Sequence, residues 1–204
     1  LLFDRNSLLS VQAIESIRNF GLIGVYVLEP AEPLPPMTQE DLEFERFQIK
    51  AVSAIEEELD RILKTRKQSR IQTIADMVIR NYGHLDEKIN FYQNLRSLED
   101  YVSRHSLNVA ILCAMITHVM NIRREEQYHT VCAALLHDMG KLKKHEDVYF
   151  GAPYSREDAI RNCETQEEAY SVIEEAFATE GPAIRRICQQ AAGKQLDLFP
   201  EEGK

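Results

Sequence analysis

The segment AALLHDMGKLKKH, residues 133–145, drives an apolar run straight into His137 and Asp138 and places Lys141 four residues after the histidine. Imidazole beside carboxylate suits a divalent cation such as Fe, Mn, Zn or Ni. Adjacent side chains on a helix point ~100° apart, so at a helix end that faces a cleft the two can converge on one or two ions. A carboxylate can bridge two such ions, and water held between two metals loses its proton near neutral pH and becomes a nucleophile for phosphate. Lys141, one turn on, would set a cation where charge builds on a phosphoryl or leaving-group oxygen. The plainer reading of Lys141 is a solvated lysine favoured by the negative end of the helix dipole.

A second histidine belongs with these. In LEDYVSRHSLNVAILCAMITHVMN, residues 98–121, Val102, His105, Val109, Leu112 and Ile116 recur at three- to four-residue spacing. That stripe predicts His105 on the buried face of a helix. Alone it would read as a core histidine with a hydrogen-bond partner. Together with His137 and Asp138 it reads as a third metal ligand, with Asp138 and Lys141 as the catalytic pair.

The elements that must position these groups fall into four stretches. Residues 1–36 read as a partial α/β module: a helix through Leu8, Val11, Ile14 and Ile17 stopped near Gly21, a strand LIGVYVLE, then a proline-rich linker. Residues 37–97 read as long connecting helices. Thr38 with Asp41 marks a helix start, nothing breaks the pattern before Arg66, and Gly83 ends a second helix. The apolar stripe Leu42, Phe44, Phe47, Ile49, Val52, Ile55, Leu59, Ile62 and Leu63 suits either a homodimer contact through the 38–66 helix or packing within one domain. Residues 98–192 read as an all-helical domain. It holds two helices around the candidate site, a loop from Lys141 to Ser155, helices started by Ser155-x-x-Asp158 and Thr165-x-x-Glu168, and a last one near Pro182. Residues 193–204 read as a tail. The fold class is therefore mainly α.

Composition bounds the partners. The chain has 204 residues, 44% hydrophobic and 28% charged, with net charge -9. That balance disfavours an extended nucleic-acid surface, and KTRKQSR at 64–70 reads as a solvated helix end. No apolar run approaches the roughly 20 residues needed to span a bilayer. Cys113, Cys132, Cys163 and Cys188 form no CxxC pair and read as reduced thiols of a cytoplasmic protein. The opening LLFDRNSLL reads like the inside of a domain, which suggests a fragment.

RHSLNVAILCAMITHVMN followed by YHTVCAALLHDMGKL resembles the first half of an HD domain, and within that superfamily the HD-GYP branch. The match is close over about residues 100–142. LLFDRNSLLSVQAIESIRNFGLIGVYVLEP resembles the latter part of the small domain that precedes many bacterial HD-GYP domains. The resemblance implies an HD-type helical bundle around a two- or three-metal centre in a bacterial signalling protein that hydrolyses cyclic di-GMP or another nucleotide. It implies bound divalent ions (Fe, Mn, Zn or Mg), with His105, His137 and Asp138 as ligands, Asp138 bridging, and Lys141 on the scissile phosphate. The family's later HPxxG and HHExxDGxGYP segments have no counterpart in the 204 residues. Asp197 is no clear match to the late aspartate ligand, and Tyr101 stands where a third-metal carboxylate would. His145, and less so His118 and His129, are the substitutes at hand. The alternative function is a degenerate HD domain acting as a non-catalytic signalling, ligand-binding or protein-interaction module; a third is another HD hydrolase, such as a nucleotidase.

Overall fold

The computed structural model describes residues 10–19, 38–85, 101–143 and 155–197. Every regular element among them is helical, so the mainly-α reading is correct. The expected strand at 22–29, the proline-rich linker, His145 and the final residues lie outside the described residues. The chain divides into two compact units, residues 1–36 and 37–204. Within the first, α1 (Val11–Asn19) starts where the Ser10 hydroxyl accepts the Ala13 N–H at 3.2 Å.

The second unit begins with α2 (Gln39–Thr65). Thr38 and Asp41 form a reciprocal capping box, the Thr38 hydroxyl accepting the Asp41 N–H at 3.1 Å and the Asp41 carboxylate accepting the Thr38 N–H at 2.8 Å. The helix ends at Arg66 in the left-handed conformation, φ 56°. Its core face carries Val52, Ile55, Leu59 and Ile62, the last three fully buried; each such side chain contributes about 1.5–3 kcal/mol. Glu58 lies on the same face, completely buried. Its carboxylate accepts the N–H groups of Ser69 and Arg70, which open α3 (Ile71–Tyr82), and faces the Arg61 and Arg70 guanidiniums. An anion at a helix start satisfies orphan donors and complements the dipole, so one buried glutamate sets the α2–α3 corner.

α4 (Tyr101–Val119) and α5 (Arg124–Leu136) form a hairpin, turned at Asn121 in the left-handed conformation, φ 54°. Gln127 of α5 donates to the Ala114 carbonyl of α4 at 2.9 Å. α5 is the centre of the bundle: α3, α4 and α8 all pack on it, and Val131 through Leu136 are buried without a break. A helix apolar all round is one enclosed by others.

The stripe expected on α4 is buried only in part: Val102 is in the core and Val109 packs against it. Val102, Ser103, Ser106, Leu107, Ala110, Ile111, Ala114 and Thr117 face the core, whereas Leu112 and Ile116 are exposed. α4 is held between α2 and α3 on one side and α5 on another. Its buried face is therefore wide, with Val102, Leu107 and Ile111 set among Ser103, Ser106, Ala110 and Ala114, small residues that permit close approach. His105 lies at the edge of this face, not within it.

α5 ends at Leu136, short of the expected run to Lys141, and the chain tightens into a short 3-10 turn, Met139–Lys143; the expected loop beyond it, at 144–154, lies outside the described residues. α6 (Arg156–Tyr170) starts at Ser155, whose hydroxyl and Asp158 form the second capping box. It is one helix, not two: Thr165 lies inside it and donates back to the Arg161 carbonyl at 2.8 Å, so it caps nothing. The short α7 (Ile173–Phe177) leads to α8 (Gly181–Asp197), which continues past residue 192 and packs Ile184, Cys188 and Ala192 inward. No helix among the described residues is long and apolar enough to cross a membrane.

Candidate metal centre

The buried run of α5 ends at Leu136, and His137 closes the helix in a right-handed conformation. Its Nδ1 meets the Ala134 carbonyl at 2.7 Å. A carbonyl only accepts, so Nδ1 carries the proton and Nε2 presents its lone pair. That Nε2 stands 3.7 Å from Oδ2 of Asp138. His105, in the second turn of α4, sets its own Nε2 3.7 Å from the same oxygen. The two imidazoles are 5.2 Å apart, centre to centre, and Tyr101 stacks parallel to His105 at 5.7 Å, one helical turn earlier. The tyrosine thus flanks an imidazole where a third-metal carboxylate was sought.

Asp138 is 2% exposed. The 3-10 turn brings Lys141 back onto it: the Lys141 N–H donates to the Asp138 carbonyl at 3.0 Å and Nζ lies 2.7 Å from Oδ2. Burial pushes the Asp138 carboxyl upward, but His137 and His105, when protonated in the metal-free protein, and the Lys141 ammonium together outweigh it and hold the group below the usual carboxylate range. Lys141 is therefore no freely solvated helix-end lysine; it is the carboxylate's ion-pair partner.

Two groups from α6 complete the frame, and neither was expected from sequence. Gln166, 1% exposed, donates to Asp138 Oδ1 at 3.3 Å and accepts the Gly140 N–H at 2.9 Å. The Tyr170 hydroxyl donates to the His137 carbonyl, and burial pushes its pKa up so that it stays a donor. The signal for Gln166 was the glycine of HDMGK. A Cβ at Gly140 would sit 2.5 Å from Gln166 Oε1 and 2.9 Å from the Thr165 carbonyl, so α6 packs where only glycine leaves room.

The donor set fits a divalent ion. One ligand atom from each of His105, His137 and Asp138 lies within 4.8 Å of the others. Ligands ~2.1 Å from a metal at tetrahedral angles stand ~3.4 Å apart, close to the two 3.7 Å separations. An imidazole lone pair and a carboxylate oxygen facing each other at that distance repel unless a cation or proton lies between them. The hydrogen bond to Ala134 is the outer-shell contact that orients such a ligand. Among the described residues this group holds three ligands. His118 is exposed at the far end of α4, and His129 packs its ring on Tyr128 two turns before His137, so neither joins it. No cysteine joins it: the four are free, Cys132 and Cys188 are buried, and burial pushes the Cys132 thiol up to about 12.

Residues 102–197, which span the site and run from α4 to the end of α8, match the HD domain family. No curated protein and no solved structure matches the chain. That stretch is thus similar to HD domains, a metal-dependent phosphohydrolase superfamily whose members bind divalent metals.

Proposed function

We propose that residues 102–197 form an HD domain that is a metal-dependent phosphohydrolase of the HD-GYP type, acting on a phosphodiester of a nucleotide, with cyclic di-GMP the first substrate to assay. The observation that carries the reading is the convergence of two imidazole Nε2 atoms on one buried carboxylate oxygen. His105, His137 and Asp138 would hold the ion, which when bound supplies Lewis acidity and an activated water. His137 is held in one tautomer by Ala134. Asp138 is kept ionised by its neighbours and aimed by Gln166. Lys141, 16% exposed, is the group that would meet developing charge on a phosphoryl oxygen. His105 is the most open of the four, 37% exposed, and marks the side from which a substrate would approach. Resemblance in residues 100–142 supports the cyclic dinucleotide, as does the preceding segment. A homodimer through α2 would have to use positions outside that helix's core face, Ile49 among them.

The second reading, a non-catalytic module, has its own observation. Lys141 already neutralises Asp138 at 2.7 Å, so the cluster is charge-balanced without an ion. Elemental mass spectrometry of the purified chain separates the two. We expect bound Fe, Mn or Zn in the wild type and in Lys141→Ala, its loss in His137→Ala, and phosphodiester hydrolysis only in the wild type. Unchanged metal in His137→Ala would sink the site, and no metal in any of the three proteins would favour the module.

A further inference from the structure

The His-Asp cluster sits at the start of α4 and the end of α5. The opposite ends of the same two helices border an open cavity of about 950 Å³, a volume within the range of small-molecule sites. Arg80 and His84 line it from the end of α3 and the turn beyond, His118 and Asn121 from the end of α4, and Arg124 from the first residue of α5. Asp76 is its only carboxylate among the described residues. At ~1.5 Å rise per residue, His105 and His118 stand about 20 Å apart along α4, so this is a second place, not an annex of the first.

The charge pattern singles the cavity out. The chain is acidic, with net charge -9, and half of the described arginines of the helical unit are engaged in ion pairs. Arg61, Arg66, Arg70, Arg123, Arg161 and Arg185 each lie against a carboxylate. Among the described residues, Arg80 and Arg124 form no ion pair, and both line the cavity. Arg46 and Arg186 also form none but lie elsewhere. Beside Arg124, α5 starts without a side-chain cap but carries Glu125 and Glu126 in its first turn, so the positive charge of the cavity comes from the two guanidiniums and not from the helix end. Guanidinium groups match phosphate oxygens with paired hydrogen bonds, which lysine or histidine alone cannot do.

From this convergence we infer that the cavity between the end of α3 and the α4–α5 turn binds a small phosphate-bearing anion, gripped by Arg80 and Arg124. His84, His118 and Asn121 supply further donors at its rim. The inference does not depend on the metal reading, because no group is shared between the two places.

Calorimetric titration of the full chain with inorganic pyrophosphate, in chelator so that no metal complex forms, tests it. We expect saturable binding near one equivalent in the wild type and in His137→Ala, weakened at least about tenfold in Arg80→Gln and in Arg124→Gln. Both arginines are exposed, so the variants should melt with the wild type. Amide shifts of the wild type provide a second reading, expected at Gly83, Asn121 and Arg124. Absence of saturable binding would overturn the inference. So would equal affinity in the arginine variants, loss of binding in His137→Ala, or shifts confined to residues 137–141.

Discussion

Gly140→Ala tests how α6 holds the proposed metal centre. The new methyl carbon would stand 2.5 Å from Gln166 Oε1, 2.9 Å from the Thr165 carbonyl oxygen and 3.0 Å from the Gln166 Cα. Ordinary contact needs 3.4 Å or more, so something must move by close to an ångström. The amide of Gln166 can swing away, but the Thr165 carbonyl and the Gln166 Cα belong to the backbone of a fifteen-residue helix. Overpacking of this kind costs about 1–3 kcal/mol, and loss of the Gly140 N–H bond to Gln166 adds about 1 kcal/mol. Restriction of the unfolded chain returns about 0.4–1 kcal/mol. A net loss of about 2 kcal/mol lowers the melting temperature of a domain this size by about 4–8 °C. Displacing Gln166 also frees Asp138, so metal affinity should fall by about tenfold or more. Calorimetric melting and metal titration of Gly140→Ala, Gln166→Ala and the double variant provide the assay. Removing the Gln166 amide takes away the closest clash, so the double variant should lose less stability than the sum of the singles. A Gly140→Ala protein that melts with the wild type and binds metal equally well would refute the packing argument.

Glu58→Ala removes the acceptor for the Ser69 and Arg70 N–H groups at the α3 start. Hydrogen bonds to a charged group are worth about 1.5–3 kcal/mol, so the urea midpoint should fall by that free energy with an unchanged slope; an unchanged midpoint would mean the α2–α3 corner is set elsewhere. The depressed Asp138 carboxyl makes a second, pH-dependent expectation for the metal-free protein. Its stabilisation is complete above the unfolded value of ~3.9 and is lost as pH falls through the lower folded value. Asp138→Asn should therefore lose stability less steeply than the wild type below about pH 4, measured by denaturation in chelator. Parallel acid limbs would show that the carboxylate is not held ionised by its neighbours.

What could be read in the sequence was what depends on short range. The Thr38 and Ser155 caps, the breaks near Arg66 and Gly83, and the apolar run into His137 are local signals, and each stands where expected. His137, Asp138 and Lys141 lie within one turn of each other, so their proximity needed no tertiary knowledge. The errors came where a second helix decides. α4 buries Ser103, Ser106, Ala110 and Ala114 beside Leu107 and Ile111 because α2, α3 and α5 all pack on it, and a single stripe of apolar residues does not record that. Thr165 looked like a cap because a Ser/Thr-x-x-Glu pattern is indifferent to whether the helix has already begun. Gln166 is polar, interior and twenty-eight residues from Asp138; nothing in its own neighbourhood of sequence says that it is 1% exposed.

That last distance bears on how the centre works. His137 and Asp138, the proposed ligands, follow the end of α5, but the groups that fix them come from α6: Gln166 on the Asp138 side chain and Tyr170 on the His137 carbonyl. Lys141 occupies the same carboxylate oxygen that both imidazoles face. A bound cation would compete with the Lys141 ammonium for Oδ2, so ion binding and a shift of Lys141 are coupled. Lys141→Ala removes the competitor and leaves a buried carboxylate without its partner, a loss that typically costs about 3–5 kcal/mol. The variant should then be less stable than the wild type in chelator and gain more melting temperature from added Mn²⁺, because an ion that binds only the folded state stabilises it by mass action. Equal metal-induced shifts in the two proteins would mean that Lys141 and the ion do not share that oxygen, and the role given to the lysine would fall with it.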